Sequence, residues 1–240
     1  MHPILVRIGP ITIYSYGVFV AAAFLLSSIF VLRKAPAFGI PKDDIWDLLL
    51  FILIFGMVGA RLLHVLLNIG YYKENLLEMV MFHKGGLAIH GAIISAVGAA
   101  LIVLLKKRLS FWKSGDLIML YLPFGQAIGR IGCFFNGCCY GRDGHPTQIY
   151  SSIALIFIFV ALQAVYKKFK RFDGDIFLLY FLFYCPVRFS IDFLRGDLMP
   201  VFRGLTTSQL LNISIFVAAF SVYIFKSIRA KRGQDGKISL

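Results

Sequence analysis

Two arginines, Arg130 and Arg188, lie inside segments that are otherwise strongly apolar. A charged side chain near the middle of a membrane costs at least about 2.5–3.5 kcal/mol, so such residues usually face an interior cavity and mark a substrate path. A guanidinium group offers a planar fork of donors that suits a phosphate. Asp192 stands four residues after Arg188, on the same face of a helix, where the two could pair. The pattern favours a phosphate clamp, and a structural ion pair is the alternative.

A histidine among glycines is a candidate base. Residues 83–91 read HKGGLAIHG, and the glycines around His90 allow backbone and ligand to approach closely. An imidazole, with a pKa of about 6.5, can accept a proton at neutral pH. The alternative is a histidine that hydrogen-bonds to a neighbouring helix. His145, in the sequence HPTQ, competes for the role of base.

Three cysteines, Cys133, Cys138 and Cys139, fall in a glycine-rich motif. Residues 129–142 read GRIGCFFNGCCYGR and join the end of an apolar segment to a loop. The spacing C-x4-C-C lacks the paired C-x2-C elements of zinc sites, so no metal site is expected. A disulfide would persist in an oxidising compartment, and free thiols packed at a helix end are an equal alternative. Cys185 is expected to be a small apolar residue within a helix.

The composition indicates which elements must position these residues. The chain has 240 residues, 59% hydrophobic and 15% charged, with a mean hydropathy of +0.79. Soluble domains are about 45–50% apolar and about 25% charged, which argues against a soluble enzyme, a disordered tail or a basic nucleic-acid-binding domain. A membrane-spanning helix needs about 20 apolar residues. Apolar segments of this length lie at roughly 13–32, 45–67, 86–105, 116–135, 149–166, 174–194 and 207–226.

The expected fold is therefore all-α, a polytopic integral membrane protein of about seven transmembrane helices in one domain, 1–240. Most Lys and Arg residues lie in alternate loops, near 33–42, 106–113 and 167–171, and in the tail from 226. The positive-inside rule then places the N-terminal segment 1–12 outside and the basic tail 227–240 in the cytoplasm. The net charge of +13 is thus a topology signal and an attraction to anionic lipids, and no nucleic-acid partner is expected. Arg61 could join the clamp or merely snorkel.

Taken in order, the polar motifs resemble those of the bacterial prolipoprotein diacylglyceryl transferase family over about residues 8–225. Each motif is weak alone, whereas the ordered set at matching spacings is specific. The motifs are Tyr14-Ser15-Tyr16-Gly17, then Gly85-Gly86-Leu87 with His90-Gly91, then Gly129-Arg130 through Asn136-Gly137 and Gly141, then HPTQIY at 145–150, and finally Arg188 with Asp192 and Arg195. The seven helices of that family, its outside N-terminus and its cytoplasmic C-terminus agree with the topology given by the charges.

The resemblance implies a lipid-modifying transferase of the bacterial inner membrane, with its active site toward the outer leaflet. Members move a diacylglyceryl group from phosphatidylglycerol onto the thiol of the lipobox cysteine in the signal peptide of a preprolipoprotein. A thioether forms and glycerol phosphate leaves, which is the first step of lipoprotein maturation. No convincing ligand set appears in the sequence, so no metal and no organic cofactor are expected.

The family's functional residues carry over by position in the motifs. Arg130 matches the phosphatidylglycerol-binding arginine and Arg188 the second essential arginine. Tyr16 matches the N-terminal tyrosine, and His90 matches the proposed base. The expected catalytic residues are therefore His90, Arg130 and Arg188. The expected phosphatidylglycerol-binding residues are Arg130, Arg188, Tyr16, Asn136, Gly141 and Asp192.

The chain departs from the family pattern inside the central motif. Cys133 stands where asparagine is usual, Cys138 stands where glutamate is usual, and Ser151 replaces an acid. These exchanges bear on substrate positioning, so a divergent member with another lipid donor or acceptor is the main alternative. A membrane thiol-redox protein would need a C-x2-C pair, and a small anion transporter would be expected to show inverted repeats. Neither feature is evident.

Overall fold

The computed structural model describes residues 4–8, 11–81 and 85–238. Within these ranges, seven helices are long and apolar enough to cross a membrane. They are α1 (Ser15–Lys34), α2 (Lys42–Leu67), α4 (Ile89–Lys106), α5 (Phe111–Asn136), α6 (Thr147–Lys168), α7 (Asp175–Leu194) and α8 (Thr207–Ile238), and a short helix, α3 (Ile69–Glu74), follows α2. Each long helix coincides with one predicted apolar segment. The expected all-α, polytopic membrane protein is confirmed.

Helix α5 runs without a break through the segment that proline and glycine interrupt in the sequence. Pro123 lies inside the helix and is fully buried, a position that membrane helices tolerate because neighbouring groups satisfy the freed carbonyl. The glycines allow α1 to pack closely. A Cβ on Gly125 would lie 2.5 Å from Ser27 Oγ, and a Cβ on Gly132 would lie 2.7 Å from Phe19 Cβ. Small residues at helix contacts are typical of membrane proteins.

Two short hairpins, which the sequence reading did not predict, precede helices α1 and α8. Strands β1 (Ile4–Ile8) and β2 (Ile11–Tyr14) pair antiparallel, as do β3 (Pro200–Phe202) and β4 (Leu205–Thr206). Helix α8 also continues past the predicted apolar end at 226 to Ile238. Its first added turns contain Arg229, Ala230, Lys231 and Arg232, residue types that favour helix without needing a membrane.

The chain divides into two compact units. Unit 1 comprises Met1–Val31 and Gly115–Leu240, and unit 2 comprises Leu32–Ser114. In unit 1, α7 packs against both α6 and α8. Because successive spanning helices alternate in direction, one end of unit 1 gathers the start of α1, the end of α5, the start of α6, the end of α7 and the start of α8. We call this the motif end, because the polar motifs of unit 1 lie there.

At the opposite end of unit 1, a buried carboxylate fastens the start of α7. Asp116 is completely buried, and its two oxygens accept hydrogen bonds of 2.9 Å from the backbone N–H groups of Gly174 and Phe177. Lys170 Nζ lies 3.0 Å from the same carboxylate. The charge therefore has an anchoring role at a helix N-terminus, where backbone N–H groups favour an anion.

Unit 2 is built on the close packing of α2 against α4. Gly59 and Gly91 face each other, so that a Cβ on Gly91 would lie 2.3 Å from the Gly59 carbonyl oxygen. Arg61 is buried and donates hydrogen bonds to four backbone carbonyl oxygens, those of Glu78, Met79, Gly85 and Gly86. Its side chain therefore holds the backbone at residues 78–79 and 85–86 in place. It does not snorkel, and it belongs to unit 2, whereas the two arginines of the predicted clamp belong to unit 1.

Replacing Gly91 with alanine is expected to lower the free energy of unfolding by about 1–3 kcal/mol, as other overpacking substitutions do. The new Cβ would collide with the Gly59 carbonyl oxygen and with Leu63 Cβ, 2.6 Å away, so α2 and α4 would have to separate. Gly98, in the same helix, is the control, because a Cβ there meets nothing within 4 Å. Alanine at 98 should be neutral or stabilise by up to about 1 kcal/mol. Thermal unfolding in detergent measures both, and equal effects would contradict the packing described.

Candidate active site

Arg130 and Arg188 line the same small pocket in unit 1. Arg130 comes from α5, near its C-terminal end, and Arg188 comes from the last two turns of α7. Helix α7 lines the pocket at i, i+3, i+4 and i+7, which is one helical face, and α6 adds two residues one turn apart. The other lining residues are Ser151, Leu155, Tyr184, Val187 and Ile191. The structure thus brings the two predicted arginines together in an otherwise mostly apolar pocket.

The ion pair between Arg188 and Asp192, which the sequence offered as the alternative to a phosphate clamp, is present in the structure. Arg188 Nη2 lies 3.0 Å from Asp192 Oδ1, and the two side chains are 12% and 0% exposed. Arg188 Nη1 is also buried, yet it has no hydrogen-bond partner among the described residues. A buried donor without a partner is costly. Arg188 therefore keeps a donor that no group among the described residues satisfies.

The charges around the pocket do not cancel. Arg130 and Arg188 interact repulsively, and no acidic side chain is among the lining residues. Asp192, which pairs with Arg188, compensates one of the two positive charges. The pocket and its ion-pair partner together carry about one positive charge, and a buried charge of this kind is stabilised by an anion. This excess matches the single negative charge of a phosphodiester.

A third arginine, Arg195, lies just beyond α7 and is compensated separately. Its Nε and Nη2 donate to the two oxygens of Asp197 at 2.8 and 2.6 Å, the bidentate geometry that guanidinium favours. The hydrogen bonds from Arg195 lower the pKa of Asp197. Arg195 Nη1 is also 3.7 Å from Asp192 Oδ1. Arg195 therefore supports the buried carboxylate and adds no uncompensated charge.

Tyr16, at the start of α1, faces the same end of unit 1. It interacts electrostatically with Arg130 and with the three motif cysteines, and a Cβ on Gly132 would lie 3.6 Å from its ring. The side chain of Tyr16 is 41% exposed. The structure therefore places Tyr16 beside Arg130 but not among the residues that line the pocket.

Asn136 and Gly141 also lie at the motif end, outside the pocket lining. Asn136 is the last residue of α5 and is exposed. Gly141 is buried and pairs with Arg195 as an isolated β-bridge. A Cβ at 141 would lie 2.4 Å from the His145 carbonyl oxygen. Glycine is required here for space, because any side chain would collide with His145 and Thr147.

The three motif cysteines form a cluster. Their sulfur atoms all lie within 4.8 Å of one another, and all are free thiols that are partly buried. A hydrogen bond from Cys133 lowers the pKa of Cys139, and Arg195 and Arg130 lower it further, against the opposing effect of burial. The fourth cysteine, Cys185, is buried inside α7, as predicted.

The predicted histidines lie in different units. His90 is the second residue of α4, in unit 2, and is exposed. His83, with which the HKGGLAIHG segment begins, lies outside the described residues. His145 is exposed in unit 1, and its Nδ1 is 3.4 Å from the Tyr150 hydroxyl.

Several residues of this region were not predicted as site residues. Ser151 lines the pocket at the position of the acid that the family pattern usually has there. Tyr184 lines it too and lies one turn before Arg188, so the i, i+4 rule applied to Arg188 could have found it. The sequence contains only a weak indication that Arg195 pairs with Asp197, because it shows no more than two opposite charges just beyond an apolar segment.

Comparison with known proteins points in one direction. The family model described as prolipoprotein diacylglyceryl transferase matches residues 3–225. The chain is similar to proteins named phosphatidylglycerol–prolipoprotein diacylglyceryl transferase from three organisms. The relative from Finegoldia magna is 35% identical over 227 residues, which cover 89% of this chain and 91% of the relative. Those from Clostridioides difficile and Geobacillus kaustophilus are 31% and 32% identical, covering 92% and 95% of this chain and 94% and 93% of the relatives.

Proposed function

The chain belongs to the prolipoprotein diacylglyceryl transferase family, and we propose that it transfers a diacylglyceryl group from phosphatidylglycerol to the lipobox cysteine thiol of preprolipoproteins. The observation that carries the proposal is the pocket shared by Arg130 and Arg188. It combines a planar set of donors, an unpartnered buried N–H group and an excess of positive charge. These properties suit the phosphate of an anionic phospholipid.

The reaction breaks the bond between the glyceryl carbon and the phosphate oxygen of the lipid. The acceptor sulfur attacks that carbon and forms a thioether, the thiol proton leaves, and glycerol phosphate departs with the bonding electron pair. Negative charge grows on the departing phosphate as the bond lengthens. Guanidinium groups placed at the phosphate stabilise this charge more in the transition state than in the ground state, which is what accelerates a reaction.

The depth of the arginines supports a site near the lipid headgroups. Arg130 lies six residues before the end of α5, and Arg188 lies six residues before the end of α7. At 1.5 Å per residue, both lie about 9 Å inside the helix ends. Helix α7, with 20 residues, is about 30 Å long, which is the thickness of the hydrocarbon core, so both arginines lie in the half of the bilayer at the motif end. A phosphate can therefore reach both side chains while its acyl chains stay in the bilayer.

The distribution of basic residues supports an orientation in the bacterial inner membrane. The basic loops lie at the end of unit 1 opposite the motif end, at 167–171 and after 226. By the positive-inside rule, the basic end faces the cytoplasm. The motif end, with its arginine pocket, then faces the outer leaflet, where translocated preprolipoproteins expose their signal peptides.

The proposed role of His90 is to accept the proton of the acceptor thiol, and it rests on the family resemblance. A cysteine thiol has a pKa of about 8.5, so only roughly 3% is thiolate at pH 7. An imidazole within hydrogen-bond reach would raise the thiolate fraction during attack. On the same basis, we propose that four further residues shape the lipid site: Tyr16, Asn136, Gly141 and Asp192.

Replacing His90 with glutamine is expected to slow transfer by about 100-fold or more, the usual contribution of a general base, and to leave phosphatidylglycerol binding unchanged. His145→Gln is the matched control, because His145 is also exposed and carries the competing assignment. For both variants, the initial rate with a lipobox peptide measures transfer, and the binding of labelled phosphatidylglycerol measures the affinity for the lipid. A normal rate for His90→Gln with a slow His145→Gln would move the role of base to His145.

The experiment that tests the function is an assay by mass. The purified protein is reconstituted with phosphatidylglycerol and incubated with a lipobox peptide. We expect a peptide heavier by one diacylglyceryl group and stable to hydroxylamine, as a thioether is and a thioester is not. A peptide with serine in place of the lipobox cysteine should stay unmodified. A peptide modified only with a different lipid would favour the alternative of a divergent donor, which the cysteines at 133 and 138 keep open, and no modification with any anionic lipid would overturn the proposal.

A further inference from the structure

We propose that Cys133, Cys138 and Cys139 form a binding site for a single thiophilic divalent cation of the Zn²⁺ class. Nothing in the transfer reaction requires three thiols side by side. Soft thiolate ligands select zinc and related metals over the hard cations Mg²⁺ and Ca²⁺. The linear spacing C-x4-C-C argues against such a site, but the fold brings the three sulfur atoms together.

The distances fit a common metal ion. In a tetrahedral site with Zn–S bonds of about 2.3 Å, ligand sulfur atoms lie about 3.8 Å apart. The three sulfur atoms here all lie within 4.8 Å of one another. Movements of about 1 Å or less, within the reach of cysteine rotamers, would therefore bring all three onto one ion. Three protein ligands leave a fourth position for water or an incoming thiol, as in catalytic zinc sites.

The backbone turn that creates the cluster is specific. Cys133 lies in the last turn of α5, and the chain reverses at Gly137, whose φ is +77°. The backbone N–H of Cys138 then donates to the Cys133 carbonyl oxygen at 3.2 Å. Cys139 also has a positive φ, +60°, which is unusual for a residue with a side chain. The two left-handed positions fold the chain back so that residues 138 and 139 meet residue 133.

Side chains from α6 hold this turn in place. Thr147 Oγ1 donates to the Cys139 carbonyl oxygen, and Gln148 Nε2 donates to the Cys138 carbonyl oxygen, both at 2.8 Å. Thr147 and Gln148 are 1% and 2% exposed. Two neighbouring ligands are thus anchored by buried hydrogen bonds, and preorganisation of this kind strengthens metal binding.

The surrounding charges also suit the site. When Zn²⁺ replaces the three thiol protons, the cluster gains a charge of −1, and three protons are released. Arg195 and Arg130 both interact electrostatically with Cys139, and a positive charge near a thiolate cluster stabilises it. These two guanidinium groups favour the thiolate forms of the cysteines, which are the forms that bind a soft metal.

The test uses the full-length protein in detergent, reduced and treated with a chelator, then dialysed against Zn²⁺. We expect one zinc ion per chain by elemental analysis, and Zn²⁺ should protect Cys133, Cys138 and Cys139 from alkylation as mapped by peptide mass. Cys185→Ser is the matched control and should bind zinc like the wild type. The triple Ser variant should lose binding.

Several outcomes would overturn the proposal. They are a wild-type chain that binds no zinc, zinc retained by the triple Ser variant, or alkylation of the three thiols that zinc leaves unchanged. A disulfide among the three cysteines that persists under reduction would also overturn it. Alkylation mapping needs only the wild-type protein, so the test stands even if a serine variant fails to fold. Because both readouts measure metal binding, the result is independent of the transferase assay.

Discussion

Replacing Arg130 with alanine is expected to reduce diacylglyceryl transfer by about 100- to 1,000-fold, the usual effect of removing one donor that stabilises a transition-state charge. Arg130 and Arg188 supply the positive charge at their shared pocket. Without Arg130, the charge of Asp192 cancels that of Arg188, and the excess that attracts a phosphate disappears. Initial rates of thioether formation at saturating lipid and peptide measure the effect.

Two further variants show whether a loss of transfer activity in Arg130→Ala comes from the missing charge, from the missing hydrogen-bond geometry or from the general removal of an arginine. Arg130→Lys keeps the charge but removes the planar fork, so it should recover only part of the rate. Arg7→Ala removes an exposed arginine from strand β1 of the same unit and should leave the rate unchanged. Each protein must reach the membrane and elute from a sizing column like the wild type. An inserted Arg130→Ala protein that retains most of its activity would remove this residue from the site.

Replacing Arg188 with alanine is expected to have two large effects, loss of transfer and loss of stability. Asp192 is fully buried and lies 3.0 Å from Arg188. Removing one partner of a buried pair typically costs about 3–5 kcal/mol, because it leaves a charge without compensation. Arg195 lies 3.7 Å from Asp192 and still compensates part of its charge. The loss in free energy of unfolding should therefore be about 3 kcal/mol, the lower end of that range. Thermal unfolding in detergent measures the stability, and the peptide assay measures the rate.

A double variant separates the structural role of Arg188 from its role toward the lipid. Replacing a buried ion pair by apolar residues of similar volume is often neutral or stabilising. Arg188→Met combined with Asp192→Leu should therefore recover the stability that Arg188→Ala loses. Transfer should stay as low as in the single variant, because the pocket still lacks a guanidinium group. If activity returns with stability, Arg188 is a structural residue, and the phosphate clamp is wrong.

The seven helices could be predicted from the sequence because hydrocarbon imposes a length and excludes irregular backbone. The interruptions in α5 did not break it, since Gly125 and Gly132 serve close packing against α1 and Pro123 is accommodated inside the helix. The hairpins before α1 and α8 were missed. They are short, and the dipeptides between their strands, Gly9-Pro10 and Arg203-Gly204, are turn signals in the sequence that do not show whether the flanking residues pair.

The pocket shared by Arg130 and Arg188 could be predicted in part. The cost of burying a charge singled out Arg130 and Arg188, and the helical period gave the pairing with Asp192. Spacing along one chain could not show that α5 and α7 bring the two arginines to one pocket, because this depends on tertiary packing. For the same reason, the partnership of Arg195 with Asp197 and the contribution of Ser151 became evident only from the structure.

The cysteine cluster marks the limit of reasoning from linear spacing. Metal-site patterns such as C-x2-C describe ligands on standard turns, whereas Cys133 and Cys139 meet through a helix end followed by two left-handed residues. Arg61 is a second example. Its position in an apolar helix suggested that it could join the clamp or snorkel, but four backbone carbonyl oxygens satisfy it.

A structure of the protein reconstituted with phosphatidylglycerol would test most directly whether Arg130 and Arg188 hold the lipid headgroup. The account predicts the phosphate within hydrogen-bond distance of both guanidinium groups, with Arg188 Nη1 as one of the donors. A headgroup bound elsewhere on a protein that still modifies the lipobox peptide, with both arginines turned away from the phosphate, would contradict it.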